Sequence, residues 1–343
     1  MKTILYEPIK YQRDSLTILN QLLLPSIIEY ETYSDYIDII DAIDAMKIRG
    51  TNLVGVASAY GLLISLNNKS FINKNEFKKY YQSIKLLFLK TRKTIRSLSY
   101  IFEYFDKIVE NENLSVEDTI QALEDNAIMF ENREKLYSQK ISELAVSRIF
   151  NKKNKYKFIT IGNYGRLSTG GIGNITGIFN NLINKGSELE IFINETRPHF
   201  QGSRLTAWEL KNDQIPYIII TSSEMARVII DLDIDAILIG AEHIASNGDI
   251  ISKIGSLPIS IIANHFNIPV FVVSSTTTIN PSLAKGSDLA IESCKTNEIL
   301  LFNGVRTAPV GSKILNYSFD IIPNDLITAI ITEDGILEPS NLK

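Results

Sequence analysis

Beyond residue 155 the chain alternates short apolar runs with helix-length segments: residues 158–161, 189–193, Tyr217–Thr221, Ala236–Ile239 and Val270–Val273, all rich in Ile, Val, Leu or Phe. Strands covered on both faces of a parallel sheet read as continuous apolar runs rather than alternating ones. This rhythm therefore predicts an α/β fold with a Rossmann-like, doubly wound parallel sheet. Upstream the period is helical. Tyr36, Ile39, Ile40, Ile43 and Met46 recur at three- and four-residue steps. Ser115, with Asp118 three residues on, predicts the N-cap of a long helix running through Ile120, Leu123, Ala127 and Phe130 toward Ile149. The polar, basic run 151–155 separates the two patterns. It predicts a mainly helical domain over 1–150 and a Rossmann-like domain over 151–343.

A length of 343 residues suits about two domains. With 45% hydrophobic and 22% charged residues, the chain can bury a core without disulfide or metal staples. The single cysteine, Cys294, cannot build a disulfide framework and lies in no nucleophile motif, so it reads as inert. A net charge of −4 excludes duplex nucleic acid as an expected partner but leaves room for a local basic pocket. The N-terminus carries Glu7 and Pro8 and no long apolar region, so no export signal is expected. No apolar run is long enough to span a membrane. The expectation is a cytoplasmic protein. No His/Cys/Asp spacing suggests a metal, and no Ser-His-Asp or Cys-His arrangement assembles. Of three histidines, His199 and His265 read as packing or surface residues, and His243 as solvent-facing.

Ligands of doubly wound sheets bind beyond the carboxyl ends of the strands, so the chemistry is sought there. After the first strand comes a glycine-rich stretch, Gly162 to Gly177. Its backbone N–H groups suit an anion, and its glycines serve a tight strand-to-helix turn equally well. Gly171, Gly173 and Gly177 give G-x-G-x-x-x-G, one residue too long for a dinucleotide fingerprint, and no phosphate-loop motif is present. No cofactor is expected. After the second strand, Arg197, Gln201 and Arg204 fall in one loop-to-helix junction. Arg197 suits bidentate capture of a phosphate or carboxylate, and the plainer alternative is a salt-bridge cluster such as Glu195 with Arg204. After the fourth strand, Glu242 stands where an acid/base carboxylate would face a ligand, or it caps a following helix. Lys253 suits an anion. In the N-terminal half, Arg49 sits where a helix starts near Thr51, placed to reach a pocket between domains. Arg92 lies in a charged run of the kind that forms a solvated face.

Five blocks together resemble the methylthioribose-1-phosphate isomerase family and its relatives, ribose-1,5-bisphosphate isomerase and the regulatory subunits of the translation-initiation guanine-nucleotide exchange factor. They are MKIRGTNLVGVASAYG (46–61), NETRPHFQGSRLTAWEL (194–210), GAEHIASNGDIISKIG (240–255), GVRTAP (304–309) and LITAIITEDG (326–335). The resemblance implies a helical N-terminal domain, a Rossmann-like domain without a dinucleotide, a homodimer, and conversion of an aldose 1-phosphate to the 1-phosphoketose. It implies sugar-phosphate binding by Arg49, Gly50, Thr51, Arg92, Gln201 and Lys253. Ser252 replaces the asparagine that precedes the family's lysine. The family's T-H-C-N-x-G loop reads Thr160-Ile161-Gly162-Asn163-Tyr164-Gly165 here, so Gly162 takes the place of the catalytic cysteine. Glu242 takes the place of the catalytic aspartate. Tyr164 and Arg166 are bulkier than the family's residues there, and either fill the pocket or read another ligand. Two readings follow: an isomerase working through Glu242, and a non-catalytic sugar-phosphate- or nucleotide-binding regulatory protein. Gly162→Cys with Ile161→His is expected to raise isomerase activity where the pocket is otherwise intact.

Overall fold

The predicted parallel strands come together in one sheet. The structure, a computed structural model, describes residues 6–291, 293–302 and 304–342; the first five residues, where no export signal is expected, lie outside it. The chain divides into two units, Met1–Gln139 with Gly165–Gly173, and Lys140–Tyr164 with Asn174–Lys343. Among the described residues no helix is long and apolar enough to cross a membrane.

The first unit opens on an antiparallel meander that the helical pattern did not announce: β1 (Ile9–Gln12), β2 (Ser15–Leu19) and β3 (Tyr30–Tyr33). Four helices follow, α1 (Tyr36–Asp44), α2 (Thr51–Asn67), α3 (Lys74–Thr91) and α4 (Arg96–Val109). Then comes α5 (Val116–Arg148), which continues into the second unit. Asp35 caps α1 by accepting from the Ile37 amide, and the helix stops at Asp44, leaving Met46 outside it at φ 64°. The expected cap of α5 is present: the Asp118 amide donates to Ser115 Oγ at 3.0 Å, and that hydroxyl donates to the Asp118 carboxylate at 2.7 Å. Every residue of α2 from Thr51 to Leu66 is buried. Small residues let neighbours approach closely, so that Gly55 meets Ser97 and Gly61 meets Phe88. The core of this unit gathers α2 with Phe77, Phe88, Phe102 and Phe105. The short helix α6 (Arg166–Thr169) also belongs here.

In the second unit β4 (Lys155–Ile161), α7 (Asn174–Asn184), β5 (Glu188–Glu195), α8 (Ala207–Asn212), β6 (Tyr217–Thr221), α9 (Met225–Asp231) and β7 (Ala236–Ile239) alternate as the sequence predicts. Next come two strands not foreseen, β8 (His243–Ala245) and β9 (Ile250–Lys253), then α10 (Ser256–His265) and β10 (Val270–Val273). The remainder is β11 (Ile279–Asn280), α11 (Asn297–Leu300), β12 (Leu301–Phe302), β13 (Val305–Arg306), β14 (Phe319–Ile322), β15 (Ala329–Thr332) and β16 (Gly335–Leu337). Seven strands form the main sheet in the order β16-β15-β10-β7-β4-β5-β6, parallel except for β16. Strands β11-β8-β9-β14 make a second, mixed sheet. The main sheet carries apolar residues on both faces: Phe158, Ile191 and Leu238 enter one cluster, and Ile159, Phe192, Ile237 and Ile239 the other. The run 151–155 joins α5 to β4, and the division into units falls earlier, between Gln139 and Lys140.

Candidate functional site

Strand order points to a candidate site in the second unit. From β4 the chain winds outward through β5 and β6, then returns to β7 on the other flank of β4 and winds the opposite way through β10 and β15. The point of reversal lies between β4 and β7, where Ile161 stands beside Ile239. A crevice opens at the carboxyl ends of strands that part in this way. Gly162 leaves the end of β4, and Gly240-Ala241-Glu242 leaves the end of β7.

Gly162 adopts φ +97°, and a Cβ there would lie 3.5 Å from Lys253 Cβ, ordinary contact. Its carbonyl accepts from Thr206 Oγ1 at 2.6 Å. Glu242 is half-buried, and its amide donates to the Ile251 carbonyl at 2.8 Å. It leads into strand β8, so the alternative role as cap of a following helix falls away. Ser252, 3% exposed, donates its hydroxyl to the Gly240 carbonyl at 2.7 Å and lies 3.2 Å from Ser256 Oγ. That hydroxyl therefore fixes the turn that carries Glu242. Lys253 ends β9 and is half-buried. Sequence reasoning missed Asp320. On β14 opposite Ser252, it accepts from the Gly255 and Leu257 amides at 2.7 and 3.0 Å. Burial raises its carboxyl above the usual range, against the pull of those amides and of Lys253. No local signal marks it, because it reaches Lys253 from a strand far along the chain.

Next to Gly162, the Asn163 side-chain amide is buried, and neither its nitrogen nor its oxygen has a hydrogen-bond partner among the described residues. Tyr164 is 4% exposed and packs into the core, where burial raises its phenol far above the ordinary value. Ile161, 2% exposed, belongs to the opposite apolar cluster, so an imidazole there would be buried among aliphatic side chains. Burying an unpaired polar group costs roughly 1–3 kcal/mol, so Ile161→His needs a partner for its imidazole.

The arginine-containing junction keeps the attraction between Glu195 and Arg204 that one sequence alternative names, and gives Glu195 a backbone role besides. Glu195 accepts from the Thr196 and Ser203 amides at 2.7 and 2.6 Å, capping a turn of π-helix at Gly202–Thr206 that runs into α8. Such turns recur at functional sites. Gln201, 8% exposed, precedes that turn. Arg197 is exposed, lies 5.5 Å over the Phe200 ring, and donates to the carbonyls of Glu298 and Ile299 at 3.2 and 3.1 Å. Its Nη2 alone makes both bonds to backbone of the 298–299 segment. Arg204 donates to the His199 carbonyl at 3.2 Å.

The histidines and cysteine are placed as follows. His243 is 4% exposed, with Nδ1 3.5 Å from Asn280 Nδ2, which corrects the solvent-facing expectation: β8 turns its side chain inward. His199 Nε2 lies 3.8 Å from Glu298, and His265 is exposed against Phe266. Cys294 is half-buried and contacts Ser318 Oγ. Among the described residues no group of His, Cys, Asp or Glu is arranged to hold a metal ion.

In the first unit, Arg49-Gly50-Thr51 forms the entry to α2. Arg49 and Thr51 are 6% and 7% exposed, and Gly50 occupies the cap position at φ +92° with no side-chain cap. A Cβ on Gly50 would fall 2.2 Å from Ser168 Cα. Ser97 donates to the Thr51 carbonyl, and Gln21 Nε2 donates to the Leu167 carbonyl at 2.9 Å. The turn is thus held from two sides, by Ser168 and by Ser97, with its leading amides at the positive end of a long buried helix. Arg92 closes α3 and contacts Met46 Sδ, so it is not merely part of a solvated charged face.

A seven-stranded, doubly wound sheet domain and a unit built around a buried helix define an α/β fold of the methylthioribose-1-phosphate isomerase and initiation-factor 2B type. The chain belongs to the initiation factor 2 subunit family, whose model matches residues 47–339. It is 36% identical to the methylthioribose-1-phosphate isomerase of Natranaerobius thermophilus over 341 residues, covering 98% of this chain and 96% of that one. It is 36% identical to the protein of that name from Caldicellulosiruptor saccharolyticus over 333 residues, covering 96% and 95%. Among solved structures it resembles 5-methylthioribose 1-phosphate isomerase from Pyrococcus horikoshii OT3, with TM-score 0.84, 27% identity, and 98% and 94% of the two chains covered. It also resembles translation initiation factor eIF-2B subunit delta from A. fulgidus, with TM-score 0.78, 27% identity, and 97% and 96% covered.

Proposed function

We propose that this protein isomerises an aldose 1-phosphate to the corresponding 1-phosphoketose, with Glu242 as its acid/base group. What supports this reading is the topology: the strand order reverses between β4 and β7, Gly162 follows the one and Gly240-Ala241-Glu242 the other, and a Cβ at Gly162 would lie 3.5 Å from Lys253 Cβ. The names of the relatives support the substrate class. An anomeric phosphate blocks ordinary ring opening, so an acid must protonate the ring oxygen before a proton or hydride moves from C2 to C1. A half-buried carboxyl is suited to that work. In the second unit Gln201 and Lys253 would hold the sugar phosphate; Arg49, Gly50, Thr51 and Arg92 of the first unit are assigned to it by the family resemblance alone. Ser252 would orient the loop rather than touch the ligand, and Arg197 would brace the 298–299 segment. We further propose a cytoplasmic homodimer, for which light scattering is the direct measurement.

The test is to incubate the protein with 5-methylthioribose 1-phosphate, 5-deoxyribose 1-phosphate and ribose 1,5-bisphosphate in turn, following ketose by NMR. Turnover of one of them is expected. A second reading, a non-catalytic sugar-phosphate-binding protein, is favoured by Gly162, which brings no thiol to the site. Saturable binding without turnover would select it. Under either reading Arg49→Ala should weaken sugar-phosphate binding by about 10- to 100-fold, the usual worth of hydrogen bonds to a charged group. Arg49→Lys, which keeps the charge and loses the fork, should fall between. Calorimetric titration reads both.

Gly162→Cys alone should raise the isomerase rate by at least about 10-fold, given that a missing acid/base group typically costs 10²–10⁴. A Cβ there makes only ordinary contact with Lys253, at 3.5 Å. The positive φ should cost roughly 1–2 kcal/mol of stability, seen as a lower urea midpoint. A stable variant with no gain in rate would show that Gly162 is not the missing position.

A further inference from the structure

We propose that the first unit carries a second ligand site, centred on Arg166, which takes a small monocarboxylate with an apolar body. A cavity of about 230 Å³ lies among the start of β1, one face of α5 and the glycine-rich stretch around α6. Its walls are mostly apolar, from Tyr6, Ile9, Leu136 and Ile172. Two cations reach it, and they are not equivalent. Lys135 is neutralised by Glu131 at 2.6 Å, and that carboxylate also accepts from the Tyr60 hydroxyl. Arg166 is half-buried, lies 5.0 Å over the Tyr6 ring, and donates Nε to the Gly171 carbonyl at 3.3 Å. Among the described residues its two terminal nitrogens have no hydrogen-bond partner.

A guanidinium braced on an aromatic face, with its outer fork open, matches a carboxylate in two parallel hydrogen bonds. One uncompensated positive charge matches one negative charge. A phosphate dianion would bring a second negative charge, with Lys135 already committed to Glu131 and the exposed Glu7 carboxylate beside the cavity. The apolar walls call for an apolar remainder, and a volume below the usual drug-sized range calls for a small one. The Gly171 carbonyl that accepts from Arg166 lies in the same stretch as Ser168, which abuts Gly50.

The probe is benzoate, titrated against the intact protein by ligand-detected saturation-transfer NMR, with benzyl alcohol and phenyl phosphate beside it. Benzoate should saturate in the millimolar range, with both other probes at least tenfold weaker. Arg166→Ala should weaken benzoate at least tenfold. Leu136→Trp should do the same by filling the cavity from an exposed position on α5, so its folding is not in question. Non-saturable benzoate, or benzoate binding unchanged in either variant, overturns the proposal, as does phenyl phosphate binding at least as tightly. The titration needs no turnover, so its outcome is independent of the isomerase reading.

Discussion

Glu242→Gln is expected to lower the isomerase turnover by roughly 10²–10⁴-fold, the range for loss of an acid/base group, while leaving the thermal midpoint almost unmoved. Glutamine keeps the shape of the side chain, and the local backbone is fixed independently by the Glu242 amide on Ile251 and by Ser252 on the Gly240 carbonyl. The effect should therefore fall on kcat more than on substrate affinity. Glu242→Asp should retain much more activity, because the carboxylate is withdrawn by only about one methylene. A glutamine variant turning over within a few-fold of the parent would remove Glu242 from the chemistry and leave the Rossmann-like domain as a binding scaffold.

Gly50→Ala is expected to be among the most damaging small substitutions in the chain. Two costs coincide there. The left-handed backbone is worth roughly 1–2 kcal/mol to any L side chain, and the new methyl would fall 2.2 Å from Ser168 Cα, where only movement of backbone relieves it. Overpacking of this kind costs about 1–3 kcal/mol, so the sum is roughly 2–5 kcal/mol, set against a total stability of about 5–15 kcal/mol. Urea denaturation measures it. Adding Ser168→Gly removes the clashes with Oγ and Cβ at 2.5 and 2.7 Å but leaves the one with the backbone of residue 168, so rescue should be partial. Full rescue by Ser168→Gly, or a loss under about 1 kcal/mol, would show that α6 does not press on this turn.

The inner strands of the main sheet were legible because their runs are buried on both faces, and the edge strand β6, of which only Ile220 is buried, because its run is apolar all the same. Tyr217–Thr221, Ala236–Ile239 and Val270–Val273 begin and end where the apolar pattern does. The N-terminal meander was not, since β1 is four residues long with only one of them buried. Strands β8 and β9 were lost in a segment whose polar residues read as a loop, and with them the inward position of His243. For the candidate site, strand ends directed attention to Gly162, Glu242 and Lys253, because ligands of doubly wound sheets lie beyond the carboxyl ends of the strands. Asp320 and the capping role of Glu195 were out of reach. Both depend on which amides the folded backbone presents, and nothing in local residue order encodes that.

The stretch Gly165–Gly173, which packs over the entry to α2, is encoded after β4 rather than alongside the helices it covers. A chain emerging from the ribosome therefore exposes Thr51 to Gln139 well before the piece that seals Gly50 has been made. Vectorial synthesis normally lets the earlier part of a protein fold first. Here that early part must wait, its central apolar helix incompletely sealed, until translation has passed Gly173.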